Sequence, residues 1–169
     1  MIRLMGAVLT AAGCAWLGFQ AAEGLRRQVW ELRRTSAGLS LLEGELELST
    51  PPLAQLLARG ESSSQGMVQT LFRNCRQGLE SLEREDFPTL WQRQISQLDL
   101  LGQEGQAILT PLGHILGRYE SERQRAVLSA ASHRLNELAD RLEQENQGKS
   151  RVCQALGLSG GAFLAIMLL

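Results

Sequence analysis

Two uncharged apolar segments, one at each end of the chain, limit what this sequence can fold into more than any other feature. Residues 4–22 and residues 152–169 contain no Asp, Glu, Lys or Arg. Helical segments of about 20 apolar residues match the thickness of a bilayer core. We therefore predict an N-terminal transmembrane helix within residues 1–22 and a C-terminal transmembrane helix at residues 152–169.

Basic residues stand on the central side of both apolar segments. They are Arg26, Arg27, Arg33 and Arg34 after the first segment, and Lys149 and Arg151 before the second. Lys and Arg accumulate on the cytoplasmic flanks of transmembrane helices. The two clusters agree in predicting that residues 23–151 form one cytoplasmic domain, with both chain ends directed across the membrane.

Each apolar segment has one alternative interpretation. The first is also compatible with a cleaved signal peptide, because Arg3 would provide a short basic n-region and the AAG sequence before Cys14 resembles a lipoprotein cleavage site. Ala11 replaces the large aliphatic residue usual there, and the apolar run continues past Cys14, so an uncleaved helix is favoured. The second segment is also compatible with a buried core helix.

Small residues in both segments would allow another helix to approach closely. The candidate packing positions are Gly6, Gly13, Gly157, Gly160 and Gly161. Transmembrane helices associate through such small residues, because without side chains their backbones come near each other. We predict that these glycines mediate packing within the membrane.

The residues between the two segments have helical periodicity. One stripe consists of Leu25, Val29, Leu32, Ser36, Leu39, Glu43 and Leu46. Its steps of three and four predict a helix that continues from the first apolar segment to about Glu47 and ends at the STPPL sequence, residues 49–53. A short helix is expected after Pro52.

Four further helices are predicted after that short helix. One apolar stripe begins near Met67, a second extends from Asp86 to Leu101, and a third is kinked or restarted at Pro111 and stops at Gly117. Ser121 and Gln124 have capping-box spacing and open the last helix, which runs on into the C-terminal segment. The expected fold is an all-α, six-helix cytoplasmic bundle whose first and last helices extend into the membrane.

The sequence has no constellation typical of a catalytic or metal site. The GLSGG sequence at residues 157–161 resembles a nucleophile elbow, but it lies in an apolar segment without a preceding strand. His114 is expected at a core or boundary position and His133 in solvent, and the three cysteines lack metal-ligand spacing. A net charge of −1 provides no basic field for nucleic acid. We predict no catalytic residue, cofactor, metal or small-molecule substrate.

Acidic residues cluster at the end of the first predicted helix. Glu43, Glu45 and Glu47 belong to the sequence EGELE, directly before the proline turn. Most carboxylates of this chain are expected to form solvated helix faces. At a helix end beside a turn, these three are candidates for docking a basic partner surface by electrostatic complementarity.

Four stretches together resemble the stage III sporulation protein AB family of endospore-forming bacteria. They are GAVLTAAGCAWLGFQAA at residues 6–22, LSLLEGELELSTPPL at 39–53, LGHILGRYESERQ at 112–124 and KSRVCQALGLSGGAFLAIMLL at 149–169. Positions that match the family pattern are Glu43, Glu45, Pro51, Leu53, Gly117, Gln124 and Gly157. The chain departs from that pattern at Pro52, an extra proline, and at Tyr119, where an acidic or capping residue is usual.

The resemblance implies a non-enzymatic membrane component of the channel-like complex between the mother cell and the engulfed forespore. The family's soluble domain is similar to the cytoplasmic domain of the platform protein in type II secretion and type IV pilus machines. By that likeness the chain would lie in the mother-cell membrane around the forespore. It would dock a secretion-type ATPase of the same complex and contact other stage III sporulation A membrane proteins.

A second function class also fits the sequence. A generic membrane-anchored helical scaffold, for example in cell division or envelope assembly, would use the same two anchors. It would be expected to have longer uninterrupted heptads than the middle of this chain. A membrane hydrolase lacks a nucleophile and base that can be named.

Overall fold

All regular structure in the described part of the chain is helical. The structure is a computed structural model that describes the backbone of residues 2–79 and 86–168 and the side chains of residues 23–79 and 86–145. The helices are α1 (Ile2–Leu48), α2 (Leu53–Ser63), α3 (Met67–Leu79), α4 (Phe87–Ile95), α5 (Gly102–Leu109), α6 (Leu112–Ile115) and α7 (Ser121–Leu168), with a 3-10 turn at Asp99–Leu101. The all-α prediction is confirmed for these residues.

The described residues contain seven α-helices, one more than the predicted six. Pro111 divides the stripe that was predicted to be kinked or restarted there into α5 and α6, because proline has no N–H to continue the helical hydrogen bonds. The helix predicted from Asp86 also stops early, at Ile95, and Leu101 belongs to the 3-10 turn. The long first helix is confirmed, since α1 ends at Leu48, shortly before Pro51 and Pro52.

The core of the segment Gln28–Asp140 is formed by one face of each helix. α1 contributes Leu32, Leu39, Leu42 and Leu46; α7 contributes Leu128, Ala131, Leu135 and Leu138. The central large side chains are Trp91 of α4 and Phe72 of α3, both without exposed surface. These apolar faces agree with the helical periodicity of the sequence.

Within this segment, α1 and α7 run antiparallel. Polar contacts join Arg33 to Asp140 at 3.1 Å, Ser36 Oγ to the Ser132 carbonyl at 2.9 Å, and Glu47 to Arg125 at 3.4 Å. Along these three contacts, the residue number rises on α1 and falls on α7. The contacts therefore place the end of α1 beside the beginning of α7.

A charge cluster ties α2 to α3. Arg73 Nε and Arg76 Nε each donate a hydrogen bond of 2.9 Å to a different carboxylate oxygen of Glu61. These bonds, first from Arg73 and then from Arg76, lower the pKa of Glu61 below its usual value. The Glu61 carboxylate is therefore ionised at neutral pH, and its bonds to the two arginines link α2 to α3.

The two chain ends form a second compact unit, made of residues 1–27 and 141–169. Their backbone is helical as far as Leu168. The packing of Gly6, Gly13, Gly157, Gly160 and Gly161 lies outside the described side chains, so the prediction for these glycines stays a prediction. Among the described residues, no helix has the length and hydropathy of a membrane span.

Candidate docking site

The turn between α1 and α2 is built by its two prolines. The helix α1 closes with the Ser49 N–H donating to the Glu45 carbonyl at 3.1 Å. Pro52 then has the extended backbone of an N-cap residue, and its carbonyl accepts hydrogen bonds from the N–H groups of Gln55 and Leu56. We name the site around this turn the proline corner: residues 43–53 together with the loop 117–120 and Gln124.

Gly117 and Leu53 meet at the proline corner although 64 positions separate them. Gly117 has φ +76°, and a Cβ added to it would lie 2.9 Å from Leu53 Cδ2. The positive φ favours glycine, because an L side chain is strained in this region, and an added Cβ would also press on the Leu53 side chain. Gly117 was expected as a helix stop, and the structure gives it the additional role of seating Leu53.

Gln124 fixes the loop that carries Gly117. Its Oε1 accepts a hydrogen bond of 3.2 Å from the Gly117 N–H, and its Nε2 donates one of 2.5 Å to the Tyr119 carbonyl. The predicted capping box is therefore wrong, since the Gln124 amide bonds to the preceding loop and not to the cap. Gln124 is only 8% exposed, so it positions the loop and offers little surface itself.

The three candidate glutamates differ in their surroundings. Glu45 forms an ion pair with Arg59 of α2, and Glu47 forms one with Arg125 of α7. Glu43 is half-buried and forms no ion pair among the described residues. Two of the three charges therefore have a partner within the fold, whereas the charge of Glu43 has none among the described residues. The sequence does not identify Arg59 and Arg125 as partners, because both contacts are tertiary.

Two large side chains are exposed at the proline corner. Leu48 is 85% exposed at the end of α1, and Tyr119 is exposed in the loop with the Arg123 guanidinium 4.4 Å from its ring centre. Aromatic, Arg and large apolar side chains are typical of protein-binding surfaces. The sequence did not indicate either residue, because the first helix is predicted to end at about Glu47 and Tyr119 is only a departure from the family pattern.

Both histidines of the chain and several residues of types that can ligate a metal ion lie in the described part. In residues 23–79 and 86–145, no three His, Cys, Asp or Glu side chains lie where they could hold a metal ion. His114 is exposed, contrary to the predicted core or boundary position. His133 is exposed as predicted and lies 3.3 Å from Glu137. A small groove of about 170 Å³ between α3 and α4 is lined mainly by amide and apolar side chains.

Replacing Gly117 with alanine is expected to destabilise the protein by about 1–2 kcal/mol, since it adds both positive-φ strain and a clash with Leu53. Urea unfolding of the full-length protein, followed by circular dichroism, measures this change. Gly44→Ala is the matched control. A Cβ at Gly44 meets no atom within 4 Å, and alanine is the better helix former there by about 0.5–1 kcal/mol. Equal effects of the two substitutions would contradict the assigned role of Gly117.

The fold and the corner define a class: an all-helical protein whose candidate site suits binding to another protein. The family model for stage III sporulation protein AB matches residues 3–169. The chain belongs to this family. It is 23% identical over 172 residues to stage III sporulation protein AB of Bacillus subtilis (strain 168), with both chains covered completely. A solved structure of a stage III sporulation protein AB has the same fold, with a TM-score of 0.61 and 21% identity over 72% of this chain and 97% of that one.

Proposed function

We propose that this chain is a non-enzymatic, membrane-anchored platform of the mother cell–forespore complex, which docks the secretion-type ATPase of that complex. The proposal rests on membership of the stage III sporulation protein AB family and on one observation about the corner. Leu53, Gly117 and Gln124, which match the family pattern, are distant in sequence but belong to one contact cluster. A cluster held together in this way is suited to present a fixed surface to a partner.

Anchoring is proposed for the two uncharged segments. Residues 4–22 and 152–169 are long enough to cross a bilayer core, and basic residues flank both on the central side. With the central domain in the mother-cell cytoplasm, the anchors would contact other stage III sporulation A membrane proteins. Gly6, Gly13, Gly157, Gly160 and Gly161 are the proposed positions of that contact.

Docking of the ATPase is proposed at the proline corner. Tyr119 supplies exposed contact area, while Glu43 supplies a carboxylate with no ion pair among the described residues. Pro51 and Leu53 set the direction in which α2 leaves the corner. Charge at such a rim governs partner choice and association rate. A basic surface on the ATPase would complement Glu43.

Reversing the charge at Glu43 is expected to reduce ATPase capture about tenfold, because a like charge facing the basic partner surface costs more than 1 kcal/mol. The test uses detergent-solubilised full-length protein as bait for the purified ATPase, with Glu43→Lys against the unchanged protein. Glu137→Lys is the matched control, since Glu137 is an exposed carboxylate in α7.

Glu45→Lys is unsuitable for this test, because it would break the Glu45–Arg59 ion pair within the corner. Equal capture by the Glu43→Lys and Glu137→Lys proteins would reject docking through Glu43. Failure of every form to capture the ATPase would instead favour the alternative, a generic membrane-anchored helical scaffold.

A further inference from the structure

The helix α1 carries a second apolar stripe that faces away from the core. Trp30, Leu41 and Leu48 are 61%, 43% and 85% exposed, and they account for three of the five exposed large hydrophobic side chains in the described part of the chain. Isolated exposed apolar residues need no explanation, but a contiguous set on one face marks an interaction site. We name this set, with Ala37 and Gly44 between its members, the outer stripe.

The spacing of the outer stripe is that of a helix-packing seam. Ala37, Leu41, Gly44 and Leu48 follow each other at steps of four, three and four. At about 100° per residue, Trp30, Leu41 and Leu48 lie within about 20° of one direction on the helix surface. The core residues Leu32, Leu39 and Leu46 point in the opposite direction by the same calculation. The helix α1 therefore has two apolar faces, and the fold covers one.

Small residues give the outer stripe its shape. Ala37 is exposed, and a Cβ placed on Gly44 would meet no atom within 4 Å, so both positions are open to a partner. Large side chains on either side of small ones form the holes into which a second helix inserts its own side chains. From Trp30 to Leu48 the stripe is about 27 Å long, which corresponds to five turns of helix.

Arg34 lies on the outer stripe between Trp30 and Ala37, and it does not interrupt the stripe. Its guanidinium carbon is 4.3 Å from the centre of the Trp30 ring, and its Nη1 is 3.5 Å from a carboxylate oxygen of Glu31. The Arg34 guanidinium therefore lies over the Trp30 ring and beside Glu31. A Trp–Arg pair of this kind is typical of the residues that dominate binding energy at interfaces.

Charge changes sign along the outer stripe. Arg33 flanks it near Trp30, while Glu45 and Glu47 flank it near Leu48. The ion pairs with Asp140, Arg59 and Arg125 leave about half of Arg33, a third of Glu45 and most of Glu47 exposed to solvent. A partner helix therefore needs acidic side chains at one end and basic side chains at the other.

We propose that the outer stripe of α1 binds an amphipathic helix of a different subunit of the same complex. That helix has large apolar side chains opposite Ala37 and Gly44, acidic groups beside Arg33 and basic groups beside Glu45 and Glu47. A parallel second copy of this chain would place like charges against each other. In an antiparallel arrangement, the N-terminal segments of the two copies would point in opposite directions. The proposed anchoring of both copies in one membrane excludes this arrangement, and on that point the inference rests on the proposed function.

Photo-crosslinking in the sporulating cells that make the full-length protein tests the inference. A benzophenone amino acid replaces Leu41 or Leu48, and in the control it replaces the exposed Gln92 of α4. Both stripe positions are expected to give about tenfold more product than the control, as central apolar positions dominate an interface. Peptide mass spectrometry should place both crosslinks in one amphipathic helical segment of another protein, with the described charge pattern.

A second variant separates binding from folding. Leu48→Asp is expected to lower the crosslink at position 41 about tenfold without changing the unfolding midpoint, because Leu48 is almost fully exposed. Three outcomes would each overturn the inference: crosslinked products no more abundant than at Gln92, crosslinks only to a second copy of this chain, or crosslinked targets without an amphipathic helix. Recovery of the protein in the soluble fraction would refute anchoring, while helix crosslinks from positions 41 and 48 would still support the outer stripe.

Discussion

Replacing Trp91 with alanine is expected to lower the free energy of unfolding by about 3–5 kcal/mol, the usual loss for a large buried aromatic residue. Trp91 has no exposed surface, and its Nε1 donates a hydrogen bond of 2.9 Å to the Leu109 carbonyl. Its ring lies 5.8 Å from that of Phe87 and fills the space against Gly113, where a Cβ would come within 2.7 Å of the indole. The substitution leaves both a cavity and an unpaired carbonyl.

Urea unfolding of the full-length protein, monitored by circular dichroism, measures the effect of Trp91→Ala. Trp30→Ala is the matched control, because it removes the same side chain from a position that is mostly exposed. Its loss is limited to the cation–π contact with Arg34, about 0.5–1 kcal/mol at an exposed site. Similar midpoints for the two variants would show that Trp91 does not hold α4, α5 and α6 together.

The helices and their ends could be predicted from the sequence because local rules govern them. Pro51 and Pro52 stop α1, Pro111 separates α5 from α6, and Gly117 ends α6, each through backbone chemistry that acts within a few residues. The 3-10 turn at Asp99–Leu101 was not predicted, since the apolar spacing of Leu98 and Leu101 continues that of α4. Periodicity alone cannot distinguish a continued helix from a turn that keeps the same residues buried.

The candidate site was predicted only as a set of positions. Nothing local connects Leu53 with Gly117 or Glu47 with Arg125, because these contacts depend on how the helices pack. The capping-box rule failed at Gln124 because a glutamine amide bonds equally well to a loop that lies nearer. Tertiary contacts of this kind decide which carboxylates remain available to a partner.

The outer stripe was missed for a different reason. The sequence pattern of α1 predicts one buried stripe, Leu25 to Leu46, and assigns no helix face to the other apolar residues. Trp30, Leu41 and Leu48 satisfy the same helical spacing on the opposite side, and only their exposure in the fold distinguishes the two stripes. A helix with two apolar faces needs two partners, of which the fold supplies one.

Cys75 is expected to react with maleimide about 1,000-fold more slowly than an ordinary exposed thiol at pH 8. Burial raises the pKa of this thiol from 9.0 to about 12. At a pH below both values, each increase of one unit in the pKa lowers the fraction of reactive thiolate tenfold. The side chain also has no exposed surface, which adds a steric barrier. The rate should rise in parallel with unfolding when urea is added.

The measurement uses a full-length variant with Cys14→Ser and Cys153→Ser, in which Cys75 is the remaining thiol. This variant is compared with the same chain carrying Ser129→Cys on the exposed face of α7. Fast labelling of Cys75 in the folded protein would contradict its burial on the inner face of α3.

The result decides how membrane orientation can be tested. A reagent that does not cross membranes will leave Cys75 unlabelled on either side, because folding already protects it. Only the thiol at position 129 can report whether the central domain lies in the cytoplasm: labelling in intact cells would reverse the proposed orientation, and labelling only after permeabilisation would support it.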